Sequence, residues 1–181
     1  MTEETMILDD KAVSRAIARI SYEIIERNKG VDELVLVGII SRGLDLARRI
    51  AEKIRDVEGK EIPIYTLDIT SFRDDIKQTK PSRETPYIDA DNKRVVLVDD
   101  VLYTGRSVRA AIEAVMAQGR PKNIQLAVLV DRGHREIPIR PDFVGKNLPT
   151  SRMETVYVSL KERDGIDQVS LSSKESFNNA N

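Results

Sequence analysis

Cysteine is absent from the 181 residues and histidine occurs once. The first absence excludes disulfides and thiolate metal sites, and it fits a reducing cytosol. Charge of one sign is missing as well. The 29 basic and 30 acidic residues leave a net charge of -1, so a polyanion partner would have to meet a local basic patch. No apolar run approaches the roughly 20 residues a membrane helix needs. The opening "MTEETMILDD" lacks the basic and apolar regions of a signal peptide, which makes a cytoplasmic location the default expectation. Neither G-x-x-x-x-G-K-[ST] nor G-x-G-x-x-G occurs, which argues against ordinary NTPases and dinucleotide enzymes. No internal repeat or linker interrupts the chain.

What is present is the patterning of one soluble domain, residues 1–181, with 40% hydrophobic and 33% charged residues. Asp9 or Asp10 can cap a helix carrying Val13, Ile17, Ile20 and Ile24 at helical spacing, with a stop at Asn28-Lys29-Gly30. "ELVLVGII", Glu33 to Ile40, is short, branched and nearly all apolar, as a strand buried on both faces must be. Leu44 to Ile54 makes a second helix and Ile62 to Thr70 alternates like a strand. Val95–Val98 and Ile124–Val130 are further buried strands, flanking a helix from Ser107 that Gly119 closes. Glu154–Leu160 is a last strand, Asp131–Arg152 reads as irregular and basic, and residues 172–181 read as a frayed tail. The polar stretch 71–93 is longer than an ordinary connection. It suits a flexible loop over a site, and equally an insertion or a two-stranded arm. Strands alternating with helices predict an α/β fold with a doubly wound, mainly parallel sheet.

One stretch carries chemistry: "VVLVDDVLYTGRSVRAA", Val95 to Ala111. A buried strand ends in Asp99 and Asp100, the place where open parallel sheets bind ligands. The loop Thr104-Gly105-Arg106-Ser107 leads into a helix start, where free N–H groups and the helix dipole favour an anion. The carboxylates repel phosphate but accept hydrogen bonds from sugar hydroxyls, or hold Mg2+ through water. A phosphate a few ångströms from a pair of hydroxyls describes a phosphorylated ribose. A merely well-capped helix is the plain alternative. Phosphoryl-acceptor receiver domains also carry an acidic pair, but after their first strand.

"VVLVDDVLYTGRS" resembles the phosphoribosyl-diphosphate (PRPP) motif of type I phosphoribosyltransferases. With "LVGIISRG", "DITSFRDD" and "IQLAVLVDRGHREIPIRPDFVGKNLPTS", the chain resembles the PyrR family from about Ile7 to Leu160. That family comprises pyrimidine-operon attenuation regulators that also act as uracil phosphoribosyltransferases. The resemblance implies the type I phosphoribosyltransferase fold, with a small hood and a flexible loop. It implies a regulator that binds operon leader mRNA when loaded with UMP or UTP, and that converts uracil and PRPP to UMP and diphosphate. Asp99 and Asp100 would hold the ribose hydroxyls, and Thr104, Gly105, Arg106 and Ser107 the 5-phosphate. Val101, Leu102 and Tyr103 complete that stretch. Ser41 and Arg42 match the diphosphate loop, and Arg73 falls in the flexible loop, so Arg42 and Arg73 join the two aspartates as catalytic candidates. A hood around Asp131–Arg132 and Phe143–Lys146 would cover the base, with Phe143 and Val144 as its floor or as plain core. Mg2+ would be held mainly by substrate, with no dedicated protein site. Arg19, Arg135, Arg140 and Lys146 match basic positions that contact RNA, and Arg152 lies in the same region. His134 reads as structural or RNA-edge. Ala18 and Tyr22 stand where family members often carry Thr and His. Homodimers or larger assemblies are implied, and no membrane. A purine or other phosphoribosyltransferase without RNA binding is the alternative.

Overall fold

The computed structural model describes residues 3–72 and 86–173. Five parallel strands form the central sheet in the order β3 (Ile64–Leu67), β2 (Leu34–Ile39), β4 (Arg94–Leu102), β5 (Asn123–Asp131) and β6 (Phe143–Asn147). Helices α1 (Asp10–Asn28) and α2 (Arg42–Glu58) cover one face and α3 (Arg106–Met116) the other. The pleat explains why β4 is an unbroken apolar run. Val96 and Val98 point into the core shared with α1 and α2, while Val95 and Leu97 point into the core shared with α3. The expected α/β architecture with a mainly parallel sheet is what the chain adopts.

Local chemistry sets the boundaries. Asp9 caps α1, its carboxylate accepting the Ala12 N–H at 2.8 Å. Lys29 ends it in the left-handed region, with Gly30 donating back to Ile25. The stripe Val13, Ile17, Ile20, Ile24 is buried, as its spacing requires.

A second, antiparallel sheet of three strands joins the two ends of the described residues: β1 (Glu3–Leu8), β8 (Gln168–Ser173) and β7 (Glu154–Ser159). A one-turn helix, α4 (Lys161–Asp164), sits between β7 and β8. Val158, Leu160 and Val169 anchor this unit to the α1–α2 side of the core.

Three expectations change. The segment around Phe143–Lys146 is not irregular but an edge strand of the main sheet, and Phe143 is only 3% exposed within the core. The polar stretch closes earlier than Lys93: Ile88 and Ala90 are buried in the α3-side core, and the Ile88 N–H donates to Gln118 Oε1 at 2.7 Å. Ser172 and Ser173 pair within β8. Arg73 and residues 174–181 lie outside the described residues.

Candidate active site

Strand β4 outruns its neighbour. Its pairing with β2 ends at Gly38–Val98, whereas its pairing with β5 continues to Leu102–Asp131. Asp99 and Asp100 therefore sit where one side of the strand is uncovered. A crevice of about 420 Å3 opens there, lined by Ser41, Asp68, Thr70, Asp99, Asp100 and Ser107 among others. A larger hollow of about 640 Å3 lies between α1 and α2. Its charges are mixed and in part already paired, as Arg49 is with Asp167. The acidic pair lies in the smaller crevice.

Glycines allow the close approaches that build it. A Cβ on Gly43 would stand 2.4 Å from the Val98 carbonyl oxygen and 3.2 Å from the Asp99 Cα. The start of α2 thus lies directly against the end of β4, which brings Ser41 to the acids. Gly105 precedes α3 with φ of 91°, a conformation that favours glycine, and packs near Ile137. The Thr104 hydroxyl accepts the Arg106 N–H at 3.4 Å. The first-turn N–H groups of α3 have no acceptor within the helix and face the crevice side at Ser107.

The two carboxylates differ. Burial, then the neighbouring Asp100, pushes the Asp99 carboxyl well above the ordinary carboxylate range. Their local bonds run in series: the Asp100 N–H donates to Asp99 Oδ1 at 2.9 Å and the Val101 N–H to Asp100 Oδ1 at 2.8 Å. Of the Ser41–Arg42 loop, Ser41 lines the crevice, whereas the Arg42 guanidinium turns to α4. Arg42 pairs with Asp164 of α4 at 2.9 Å, while its Nε is buried and has no partner among the described residues.

Other predicted residues take different positions. Arg132 is 7% exposed and does not face the crevice. Its guanidinium lies 4.0 Å from the Tyr103 ring centroid and donates to Thr150 Oγ1 and to the Ser151 and Glu154 carbonyls. It fastens the 148–154 turn to the PRPP-motif loop. Arg135 likewise donates to the carbonyls of Tyr103 and Ile139 and to Asp131. Its guanidinium holds the loop in place. The Phe143 ring is buried in the α1–α2-side core, and Val144 packs against the α3-side core. His134 Nε2 meets the Thr150 carbonyl and the ring stands edge-on to Tyr103, a structural role.

Arg19, Arg140, Lys146 and Arg152 are exposed. Arg19 donates to the Val144 and Gly145 carbonyls, which places it on the same edge strand as Lys146. Tyr22 is exposed on α1 with Lys53 5.5 Å from its ring centre. No group of three or more His, Asp or Glu able to hold a metal occurs among the described residues. Sequence reasoning missed Asp45, Arg163 and Asp164, which surround the Ser41–Arg42 loop. A one-turn helix of charged residues has no periodic signal to reveal it.

Comparison with known proteins agrees with this geometry. The phosphoribosyl transferase domain model matches residues 3–163. The chain is 57% identical to the bifunctional protein PyrR of Acetivibrio thermocellus, over 97% of each chain. It is 57% identical to the PyrR of Clostridioides difficile (94% of this chain, 99% of that one) and 55% identical to that of Bacillus cereus (96% and 100%). Among solved structures, the hypoxanthine phosphoribosyltransferase of Trypanosoma cruzi superimposes with a TM-score of 0.72 at 15% identity, covering 94% of this chain and 97% of that one. The Staphylococcus aureus enzyme gives 0.69 at 17%, covering 91% and 90%. Those distant likenesses establish the shared fold. An acidic pair at a strand end, a glycine-led loop into α3, the domain match and near-full-length identity with the PyrR proteins lead to one conclusion: this chain belongs to the PyrR family of phosphoribosyl transferase domain proteins.

Proposed function

We propose that the chain transfers a phosphoribosyl group from PRPP to uracil, giving UMP and diphosphate, and that with UMP or UTP bound it attenuates transcription by binding pyrimidine-operon leader mRNA. The observation that carries the first activity is the crevice itself. Two carboxylates occupy one wall, and the Ser41–Arg42 loop and the α3 N-terminus reach the same space. That is the layout a sugar needs when it bears a phosphate at one end, a diphosphate at the other and hydroxyls between.

Breaking the C1–O bond leaves positive character on the ribose and negative charge on the diphosphate. The chain's task is to position both substrates and stabilise that charge. Asp99 and Asp100 accept the ribose hydroxyls and sit beneath the developing cation. Thr104 to Ser107 hold the 5-phosphate through N–H and hydroxyl donors. Arg42 suits the leaving diphosphate because guanidinium pairs bidentately with phosphate oxygens. Arg73, from the segment outside the described residues, is assigned to the same group on the family resemblance alone. No nucleophilic side chain is required.

The donor set fits Mg2+ bound chiefly through substrate. Asp68, Asp99 and Asp100 line the crevice without clustering into a cage, and hard oxygen donors suit that ion. Bound there, Mg2+ would neutralise charge on the diphosphate. Release of diphosphate from PRPP and uracil, measured with and without Mg2+, tests the assignment. No release under any condition would reject it. Competition among uracil, hypoxanthine and guanine separates this reading from a purine phosphoribosyltransferase.

For RNA, the exposed cations Arg19, Arg140 and Lys146 are the contacts we assign, with Arg135 shaping the loop beside them. Phosphate contacts make such binding salt-sensitive. A gel shift with a leader hairpin should tighten with UMP and weaken as salt rises. Binding indifferent to both would remove the regulatory half. A homodimer or larger assembly would bring two such surfaces together, and light scattering would report it. No helix among the described residues is long and apolar enough to cross a membrane.

A further inference from the structure

The segment after β7 returns to the Ser41–Arg42 loop and grips it from outside the crevice. Arg163 Nε reaches Asp45 Oδ2 at 2.5 Å, and its NH2 donates to the Ser41 carbonyl at 3.2 Å. Asp45 stands in the first turn of α2 and is only 3% exposed. Arg163 is the near cation on this enclosed carboxylate, with Arg48 NH1 farther off at 3.8 Å, and losing the near one weakens its compensation. Next along the chain, Asp164 accepts two bonds from Arg42, both from the same nitrogen, NH2, at 2.9 and 3.1 Å. That leaves the buried Arg42 Nε without an acceptor among the described residues. The guanidinium is therefore held through one nitrogen, and its position depends on the segment that carries Asp164. Asp45 and Arg163 do not line the crevice. Whatever they do for the reaction, they do through Ser41 and Arg42.

We propose that Arg163 is a positioning residue for the diphosphate loop, fixing the Ser41 backbone through its carbonyl and through the buried Asp45. This rests on the reading above, in which Arg42 receives the diphosphate. Two donors of one planar fork hold two points, the first turn of α2 and the peptide that precedes it. The distance between loop and ribose site is thereby set from the antiparallel-sheet unit. Misplacement by an ångström at such a loop weakens anion binding without altering the base pocket.

The test uses the whole chain. Diphosphate binding with Mg2+ is measured by calorimetry, and KM for PRPP, KM for uracil and kcat by turnover, for wild type, Arg163→Lys, Arg163→Gln, Asp45→Asn and Arg42→Gln. Lysine keeps the charge for Asp45 but has one nitrogen, so it cannot also hold the Ser41 carbonyl in the same geometry. Arg163→Lys is expected to keep Tm near that of wild type. It should still raise the diphosphate Kd and the PRPP KM about 5- to 20-fold, with the uracil KM within twofold. Arg163→Gln and Asp45→Asn should give the same split, and the double variant should be no worse than the poorer single one. If Arg163→Lys and Arg163→Gln change only Tm, with both diphosphate values within twofold of wild type, Arg163 is structural and the proposal falls. Arg42→Gln separates the two levels. If it too binds diphosphate normally, the loop is not the diphosphate site and both readings fail. If it loses binding while the Arg163 variants do not, only the present inference fails.

Discussion

Gly43 and Asp99 belong to different elements, yet the space between them admits no side chain. A Cβ on Gly43 would fall 3.2 Å from the Asp99 Cα and 2.4 Å from the preceding carbonyl oxygen. The obstacle is backbone, so it cannot rotate away. Gly43→Ala should force α2 back from β4, costing about 1–3 kcal/mol. The greater effect should be on activity, since Ser41 and Arg42 move with the helix. A kcat/KM for PRPP reduced more than about 10-fold, with a modest Tm change, is the expected result. Normal kcat/KM would show that the loop tolerates displacement.

The acidic pair should serve function at a cost to stability. Removing both carboxylates as Asp99→Asn and Asp100→Asn should lower kcat/KM by about 100-fold or more, if each loses a charge-assisted hydrogen bond of ~1.5–3 kcal/mol. An unchanged rate would reject the ribose placement.

Asp99 has a pH signature. Burial, then Asp100, raises its folded-state pKa above the unfolded value. The folded chain holds that proton more tightly, so stability falls as pH rises from the ordinary carboxylate value toward the raised one. Asp99→Asn should therefore have a higher Tm than wild type at neutral pH and a smaller gap in mild acid. A lower Tm for the variant at neutral pH would show the ionised carboxylate to be stabilising.

Arg49 ties α2 to the segment around α4. It donates to Glu162 and to Asp167, whose side chain is 7% exposed. Arg49→Met removes the nearest cation from the buried Asp167, leaving it the Lys161 N–H and a Lys161 Nζ 3.8 Å away, and should cost about 3 kcal/mol. For a chain of this size that lowers Tm by about 6–12 °C. Adding Asp167→Asn should recover part of the loss, because the buried charge is then gone. No recovery would mean that lost packing, not lost pairing, dominates.

Acid should loosen the same region first. Burial raises Asp167, but hydrogen bonds from Arg49 and from the Lys161 N–H outweigh it and hold its carboxyl below the usual range. Asp164 is lowered by the Leu160 N–H and then by Arg42, and Glu162 chiefly by Arg49. Groups depressed in the folded state stabilise above their unfolded values, and that contribution is lost as pH falls through the folded ones. Hydrogen exchange at α4 and β8, corrected for intrinsic rates, should accelerate below about pH 4 before β4 and β5 respond. Simultaneous opening would show the two units to be one cooperative body.

Legibility followed burial. Strands β2, β4 and β5 are apolar on both faces, and α1 to α3 carry apolar stripes between clear stop signals, so periodicity finds them. The acidic pair and the Thr104–Ser107 loop announced themselves because they lie between a legible strand and a legible helix. Strands β1 and β8 did not, since "EETMIL" and "QVSLSS" owe their conformation to one another across long separation. The "FVGKN" strand is half polar because it forms the sheet's edge. Arg132 and Arg135 show a further limit. A run of basic residues reads as a surface, but which guanidinium turns inward to carbonyls depends on loops whose path no local pattern encodes.

Glu3 lies directly opposite Ser173 in the β1–β8 ladder. The two ends of the described chain are thus neighbours, far apart only in numbering. A circular permutant that links them through a short flexible tether, with new ends cut between Gly119 and Lys122, would retain every strand pairing of both sheets. Its transferase site would be assembled from the same elements in a different order of synthesis.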